Sequence, residues 1–255
     1  MELVSASKMR RAVAATLSTR PYAMLGWETV RELAKVTDAE LHPLLHKTGH
    51  IQKVLVIFVT SDRGLCGGFN AQIAKGVIEF VNRHDKSLAL SRSTKLSFDF
   101  VTIGKKGTDL ARRLGWNIVA TFNNLSNNPR ITDVRPVAQL AINDFVAGKY
   151  DAVYLAYTDF ISSIRQIPNI KQLLPLTREE VAKVAKEPEV AKVSNVVSFE
   201  TSATSATYHY DYIFEPTPAE VLDGMLPRLV EVQVYQAILE SSAAEHSARM
   251  VAMKN

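Results

Sequence analysis

The sequence predicts an α/β protein in which a parallel-sheet, Rossmann-like domain is flanked by long N- and C-terminal helices. Between residues 51 and 216, apolar runs of strand length alternate with helical patterns, which is typical of a parallel sheet. Residues 1–50 and 217–255 instead repeat apolar side chains at three- and four-residue steps, as amphipathic helices do. Because each terminal stripe needs a partner, we expect the two arms to pair as an antiparallel coiled coil.

Composition limits the classes of function. The chain has 255 residues, of which 47% are hydrophobic, and this is enough for a substantial core. A formal net charge of +4 without dense Lys/Arg stripes argues against nucleic-acid binding. The single cysteine, Cys66, rules out an internal disulfide and favours a reducing compartment. No apolar run reaches membrane-span length and residues 1–5 lack a secretory signal pattern, so we expect membrane contact only through partner proteins.

The N-terminal arm begins with a helical pattern from Met1 to about Ser18, a stretch without Gly or Pro. Pro21 is expected to interrupt this helix, because proline removes a backbone donor and clashes with the preceding turn. A second helical stripe follows and is expected to end near Pro43 and Gly49.

The central domain opens with the strand Lys53–Thr60, a continuous apolar run typical of a strand buried on both faces. A glycine-rich turn at 61–70 and a helical pattern over Ala71–Arg83 follow it. The remaining predicted elements are a strand at Leu96–Ile103, a short helix from Gly104 to Leu114, a strand at Asn117–Phe122, a helix at Asp133–Ala147 and a strand at Asp151–Tyr157. This alternation predicts parallel strands joined by helical crossovers.

The end of the central domain is less regular. Apolar residues between 160 and 176 do not alternate cleanly, and Pro168 argues against a central strand, so we predict an edge strand or hairpin there. Residues 177–207 are mostly small or polar and predict a loop or loosely held insertion. Tyr208–Glu215 alternates aromatic residues and predicts a last strand.

The C-terminal arm begins with the pattern of a capping box, in which Thr217 is the N-cap, Pro218 the first helical residue and Glu220 the returning acid. A helix from there to the end of the chain would be roughly 55–60 Å long. We therefore expect part of it to project beyond the domain, with a kink near Gly224 or Pro227. The alternative, one core helix of an ordinary domain, stays open.

The glycines at 64, 67 and 68 follow a buried strand and precede a helix, an arrangement that can hold a phosphate. The match to a nucleotide motif is poor, because no Lys-Ser/Thr pair follows the glycines and G-x-G-x-x-G is absent. The pattern therefore favours a structural turn over a nucleotide site.

No catalytic residue, cofactor or metal site is predicted. Cys66 has no recognisable histidine partner, because the six histidines are scattered over terminal helices, loops and the last strand. His42 and His46 are four residues apart, but no third metal ligand is evident.

Charged residues mark the two arms. Lys8, Arg10 and Arg11 form a basic face on the first arm, and Arg249 adds positive charge to the second. The simplest account is a solvated surface with pairing between residues four apart, as between Glu245 and Arg249.

A family resemblance rests on five segments, one of which carries Asp-Arg-Gly-Leu-Cys-Gly-Gly at 62–68. The segments are Val59–Asn70, Val230–Glu240, Glu245–Asn255, Val4–Arg11 and Arg20–Tyr22. Together they resemble the gamma subunits of the rotary F-type ATP synthases over nearly the whole chain. Two departures stand out: the family's first helix starts earlier and its last continues past Asn255, and the 177–207 insertion is longer than usual.

The resemblance implies a central rotor shaft that is itself non-catalytic and couples proton-driven rotation of a membrane ring to conformational change at catalytic sites on other subunits. The implied partners are the alpha and beta subunits of the catalytic hexamer, an epsilon-type small subunit and the rotor ring of c subunits. The implied location is a peripheral membrane complex, on the cytoplasmic face in a bacterium or, alternatively, on the matrix face of the mitochondrial inner membrane.

The resemblance also suggests which residues contact partners. Lys8, Arg10 and Arg11 are candidates to meet acidic loops of the catalytic subunits, and Arg249 is a candidate on the opposite arm. A further set shares an aromatic ring on the predicted last strand and is expected on the rotor ring: Tyr208, Tyr210 and Tyr212.

Two other classes of function remain open on the sequence. The parallel sheet and glycine turn also fit a Rossmann-type nucleotide-binding or redox enzyme, which would bind ATP or NAD as an isolated chain. The terminal helices alone also fit a coiled-coil adaptor unrelated to energy conversion.

Overall fold

The computed structural model describes residues 2–36, 42–45, 51–90, 96–127, 129–176 and 215–254. Its five strands are β1 (Lys53–Val59), β2 (Ser97–Ile103), β3 (Asn117–Phe122), β4 (Ala152–Phe160) and β5 (Gln166–Leu174). They form one sheet with the order β3-β2-β1-β4-β5. β1 pairs in parallel with β2 and β4, β2 pairs in parallel with β3, and β5 runs antiparallel to β4. The predicted parallel sheet is confirmed, and so is the edge strand at residues 160–176.

Helices cover both faces of this sheet. Alternate side chains of β1 point to opposite faces and pack against different helices. Val54, Val56 and Phe58 pack in a cluster with α2 (Phe69–Leu90) and α3 (Lys105–Arg113). The larger cluster on the other face contains the intervening β1 side chains together with residues of α4 (Ile131–Val146) and the last helix, α5 (Pro218–Lys254). Both faces of the sheet are therefore apolar, which explains the continuous apolar run of β1.

The N-terminal helix, α1, is unbroken from Glu2 to Val36. The prediction that Pro21 interrupts it is wrong. Pro21 is exposed, so water can solvate the carbonyl that loses its partner, and the following turns are fixed by packing of Ala23 and Trp27, which are buried. Packing of the helix outweighs a cost of about 3 kcal/mol at one exposed residue.

The C-terminal helix, α5, lies between two layers. Its start has the predicted cap, since the backbone N–H of Glu220 donates to Thr217 Oγ1 at 3.3 Å. One side packs against the sheet and α4, and the other packs against α1. Every residue from Ser241 to Ser247 is buried as a result. This stretch does not project, because α1 covers the face that the sheet leaves open; the expectation that another part of the helix projects stays a prediction.

α1 and α5 run antiparallel, as predicted. Near one end of the contact, a Cβ atom on Gly26 would lie 2.5 Å from Leu229 Cδ2, so a larger residue there would force the Leu229 side chain to move. Near the other end, the positive charge of Lys8 acts on His246. Residues later in α1 therefore contact residues earlier in α5, as antiparallel helices do.

Truncation of Trp27 tests whether this helix pair stabilises the fold. The side chain is 1% exposed and belongs to the cluster shared by α5 and the sheet. Trp27→Ala is expected to lower the free energy of unfolding by about 3–5 kcal/mol, because it removes buried apolar surface and leaves a cavity. Chemical denaturation measures this, with Tyr22→Ala on the same helix, where the side chain is 61% exposed, as the control. Equal losses for both variants would contradict the packing of α1 on α5.

Some sequence predictions lie outside the described residues. These are the insertion at 177–207 and most of the aromatic strand predicted at Tyr208–Glu215. The domain boundaries near residues 50 and 216 stay predictions. Among the described helices, none is long and apolar enough to cross a membrane.

Candidate functional site

The glycine-rich turn joins the central domain to the helix pair. We call Thr60–Asn70, which runs from the end of β1 into the first residues of α2, the clasp turn. Its path needs the left-handed region twice, at Leu65 (φ 62°) and Gly67 (φ 54°). Asn70 holds the turn closed, because its carboxamide oxygen accepts from the backbone N–H of Ser61 at 3.1 Å and its Nδ2 donates to Ser61 Oγ at 2.7 Å. The turn is thus a fixed structure built by its own side chains.

Asp62 ties the clasp turn to the two loops that follow β2 and β3. One carboxylate oxygen accepts from the backbone N–H of Lys105 at 3.3 Å. The other accepts from the backbone N–H of Asn124 at 2.9 Å and from Ser126 Oγ at 3.2 Å. Loops at the carboxyl ends of three neighbouring strands are held together by this one carboxylate.

The N-terminus of α3 is occupied by the same turn. The N–H of Gly107 donates to Thr60 Oγ1 at 2.8 Å, and that of Lys106 donates to the Ser61 carbonyl at 3.1 Å. A Cβ atom on Gly107 would lie 2.6 Å from Thr60 Oγ1, so the two segments are already in close contact. A phosphate needs free N–H groups at a helix N-terminus, and here they are used. The glycines at 64, 67 and 68 precede α2 rather than α3, so the choice of a structural turn over a nucleotide site at the start of α2 stays a prediction.

Arg249 of α5 fastens the helix pair to the clasp turn. Its Nε donates to the Gly64 carbonyl at 3.3 Å, and one terminal nitrogen donates to the Arg63 carbonyl at 3.2 Å and to Glu245 Oε1 at 2.7 Å. The other terminal nitrogen lies 3.2 Å from His246 Nδ1. The side chain is only 13% exposed, so these bonds are largely shielded from water. The predicted pairing of Glu245 with Arg249 is confirmed.

Burial shapes the electrostatics of this group. Burial raises the pKa of Glu245, and Arg249 opposes that shift through charge and hydrogen bonding. Burial, with the positive charges of Arg249 and Lys8, lowers the pKa of His246 to about 4. His246 is therefore neutral at neutral pH.

Apolar contacts accompany the polar ones. Cys66 and Phe69 of the clasp turn pack against Ala244 of α5, with Ala248 beside them. The Cys66 thiol is buried and accepts from Asn70 Nδ2 at 3.2 Å, as expected of a structural cysteine. Small residues on α5 allow this close approach.

A second contact holds α5 to the loop that follows β4. The loop between β4 and β5 offers the Ser163 carbonyl, which accepts from Ser247 Oγ at 2.7 Å. The Ser163 hydroxyl also lies 3.8 Å from Met9 Sδ of α1. The clasp turn and this loop thus hold the helix pair at the same level.

The structure separates the predicted partner residues into groups. Arg10 and Arg11 are exposed on α1, whereas Lys8 is half-buried and its Nζ donates to Asn127 Oδ1 at 2.5 Å. Arg249 is used inside the chain, so its role toward a partner stays a prediction. The three tyrosines at 208, 210 and 212 lie outside the described residues.

We call the clasp turn, together with the side chains of α5 and of the β3–α4 and β4–β5 loops that bond around it, the clasp. Sequence reasoning missed several of its members. His246, Ser163 and Ser126 carry no motif, and their roles depend on segments that meet only in the fold. The one available signal was the proximity of His246 to the Glu245–Arg249 pair. Within the described ranges, no group of three or more His, Cys, Asp or Glu could hold a metal ion. A shallow cavity of about 200 Å³ between α2 and α3 is lined by residues that include Thr60, Asn70 and Lys106.

Comparison with known proteins gives a consistent family. The family model described as ATP synthase matches residues 1–255. The ATP synthase gamma chain of Chloroflexus aurantiacus is 40% identical over 257 residues, covering 100% of this chain and 78% of that protein. The gamma chain of Roseiflexus sp. is 38% identical, with 100% and 78% coverage, and that of Legionella pneumophila is 33% identical, with 100% and 79% coverage.

Solved structures share the fold. The central stalk and c-ring structure of the Tetrahymena thermophila mitochondrial ATP synthase contains a chain with a TM-score of 0.65 and 24% identity, with 100% of this chain and 96% of that chain covered. A chain of the Euglena gracilis mitochondrial ATP synthase rotor has a TM-score of 0.51 and 16% identity, with 100% and 90% coverage. The family model over the whole chain and the gamma-chain relatives together show that this chain belongs to the ATP synthase family as one of its gamma chains.

Proposed function

We propose that this gamma chain, the central rotor shaft of its ATP synthase, performs no bond chemistry and transmits rotation mechanically. A proton-driven membrane ring of c subunits turns it, and it presents different side chains in turn to each catalytic site on the alpha and beta subunits. An epsilon-type small subunit accompanies it. A shaft changes the conformation of a catalytic subunit only if the contacts differ between orientations, and an asymmetric helix pair meets that condition.

The observation that carries this proposal is the clasp. A domain that receives torque and a helix pair that delivers it must be joined stiffly, or rotation would be lost in bending. The clasp turn binds α5 at Arg249, and the β4–β5 loop binds it two residues earlier, at Ser247. The hydrogen bonds between domain and helix are thus concentrated in one turn of α5. An ion pair between half-exposed Arg135 of α4 and buried Glu231 of α5, whose atoms are 3.4 Å apart, adds a second connection between the domain and α5. This pattern supports a mechanical role.

The chain belongs to the peripheral part of a membrane complex. We propose the cytoplasmic face of a bacterial membrane, since the Chloroflexus, Roseiflexus and Legionella relatives are bacterial proteins. The matrix face of the mitochondrial inner membrane is the alternative. Fractionation of source membranes, with antibody access to the chain in oriented vesicles, distinguishes the two.

The basic residues near the start of α1 offer a test of partner contact. Replacing Lys8, Arg10 and Arg11 together with alanine is expected to lower ATP-driven proton pumping severalfold in vesicles carrying the complete complex. The free energy of unfolding should change by only about 1–2 kcal/mol, because the exposed charges of Arg10 and Arg11 contribute little to stability and Lys8 loses one hydrogen bond, to Asn127. A matched control replaces three exposed basic residues of the central domain, Lys75, Arg112 and Arg113. Pumping that is equal in the two triple variants would sink the contact.

A further inference from the structure

His246 is a buried titratable group at the centre of the clasp that torque transmission does not require. It is 3% exposed, and it lies on α5 between the clasp turn and α1. Its Nε2 atom is buried without a hydrogen-bond partner among the described residues. A histidine in such a position couples the clasp to pH, because imidazole is the side chain that titrates near neutrality.

The hydrogen bond of His246 determines its protonation state. Its Nδ1 lies 3.2 Å from a terminal nitrogen of Arg249. A guanidinium can only donate, so Nδ1 must accept and the proton of the neutral ring sits on Nε2. Adding a proton at Nδ1 therefore removes the acceptor of this hydrogen bond and places two cations, the imidazolium and the guanidinium, in contact. The guanidinium then has to move.

Among the described residues around His246, the nearby acids already have partners and do not compensate such a proton. Lys8 of α1 and Arg249 of α5 are the charges that act on His246, and both are positive. Glu245 is paired with Arg249 at 2.7 Å, and Asp62 of the clasp turn already accepts three hydrogen bonds. The clasp turn otherwise carries Arg63, the loop at 123–127 has no titratable side chain, and the β4–β5 loop carries only Arg165.

We propose that the clasp is acid-sensitive: a proton on His246 displaces Arg249 from the carbonyls of Arg63 and Gly64 and loosens α5 from the clasp turn. The two carbonyl bonds and the imidazole bond share one guanidinium, so they are lost together. The device lies entirely within this chain and does not depend on the proposed rotation.

The direction of the pH effect follows from the shift at His246. Its pKa is lowered to about 4 in the closed clasp, while an opened clasp exposes the ring and returns it to its ordinary value near 6.5. The closed state is therefore fully favoured above about pH 6.5 and loses ground as pH falls from there toward 4. Glu245 has the opposite sign, because a raised carboxyl pKa favours the closed state in acid. Loss of closure in acid thus points to the histidine.

Hydrogen exchange on the full chain tests the proposal. Between about pH 7 and about pH 5, protection of amides in the clasp turn and around Arg249, corrected for intrinsic exchange, should fall on the order of tenfold in the unaltered chain. In His246→Gln, which keeps an acceptor for Arg249 but does not titrate, it should change less than about twofold. His84→Gln, on α2, is the matched control and should behave like the unaltered chain. An equal fall in His246→Gln, or no fall in the unaltered chain, overturns the proposal.

A second measurement covers a His246→Gln chain that does not fold. The pKa of His246 can be read in the unaltered chain from histidine C2-proton exchange followed by mass spectrometry. A value well below 6.5, with loss of protection at Arg249 over the same pH range, supports the device. A value at or above the ordinary one overturns it, because the closed clasp would then accept the proton without cost.

Discussion

Replacing Arg249 with methionine is expected to lower the free energy of unfolding by about 3–5 kcal/mol, because removing one partner of a buried pair leaves an uncompensated charge. Glu245, whose side chain is 4% exposed, would lose its ion-pair partner. The carbonyls of Arg63 and Gly64 would lose their donor as well. Methionine keeps most of the side-chain volume, so the loss reports the polar contacts rather than a cavity.

Chemical denaturation of the purified chain measures this loss, and a double variant supplies the control. Arg249→Met combined with Glu245→Gln removes both charges together and should recover a large part of the stability. In the complete complex, Arg249→Met should also reduce proton pumping per ATP hydrolysed, because the helix pair is less firmly joined to the domain. A single variant as stable as the unaltered chain would show that Arg249 does not fasten α5.

Gly104→Ala is expected to lower the free energy of unfolding by about 3 kcal/mol or more. The alanine would strain the backbone, and its Cβ atom would collide with a neighbouring segment. Gly104 has φ 91°, and an added Cβ atom would lie 2.3 Å from the carbonyl oxygen of Thr60. That oxygen belongs to the backbone at the end of β1, so it cannot rotate away. The clasp turn would have to shift with it.

Gly115 provides a control with backbone strain and no collision. Its φ is 69°, and nothing lies within 4 Å of an added Cβ atom. Gly115→Ala should therefore cost only about 1–2 kcal/mol, the strain of a left-handed residue. Thermal or denaturant unfolding compares the two variants. Similar losses would mean that contact with Thr60 contributes nothing, and the packing of α3 on the clasp turn would need revision.

Local patterns were enough to predict most of the fold. β1 was recognisable because a strand covered on both faces must be apolar throughout. Thr217 was recognisable as an N-cap because a capping side chain bonds to the first turn of its own helix. Pro168 indicated an edge strand because it cannot donate to a ladder, and β5 is that edge.

Features that depend on distant packing were not predictable in the same way. Pro21 is a strong local signal for a helix break, but the helix continues because Trp27 and its neighbours are fixed by α5. The burial of Ser241–Ser247 could not be predicted from a pattern of large apolar residues. Small residues such as serine and alanine are buried there because two layers approach closely.

The candidate site shows the same limit. The glycine pattern of the clasp turn indicated a structural turn, but not what the turn holds. Arg249 was interpreted as a surface charge because a sequence does not reveal that Arg63 and Gly64 present their carbonyls beside it. A residue whose partners are more than a hundred positions away has no local signature.

A disulfide between the clasp turn and α5 tests most directly whether domain and helix pair turn as one body. A Cβ atom on Gly67 would lie 3.9 Å from that of Ala252, within the usual disulfide range of about 3.5–4.5 Å. Gly67→Cys and Ala252→Cys, combined with Cys66→Ser, supply the pair. Each single cysteine serves as a control, and Gly67→Cys alone measures the strain of a non-glycine residue at φ 54°, about 1–2 kcal/mol. We expect the bond to form in the complete complex and to leave ATP-driven rotation and proton pumping unchanged before and after reduction. Turnover that stops on oxidation and returns with reductant would show that the helix pair moves against the domain, which contradicts this account.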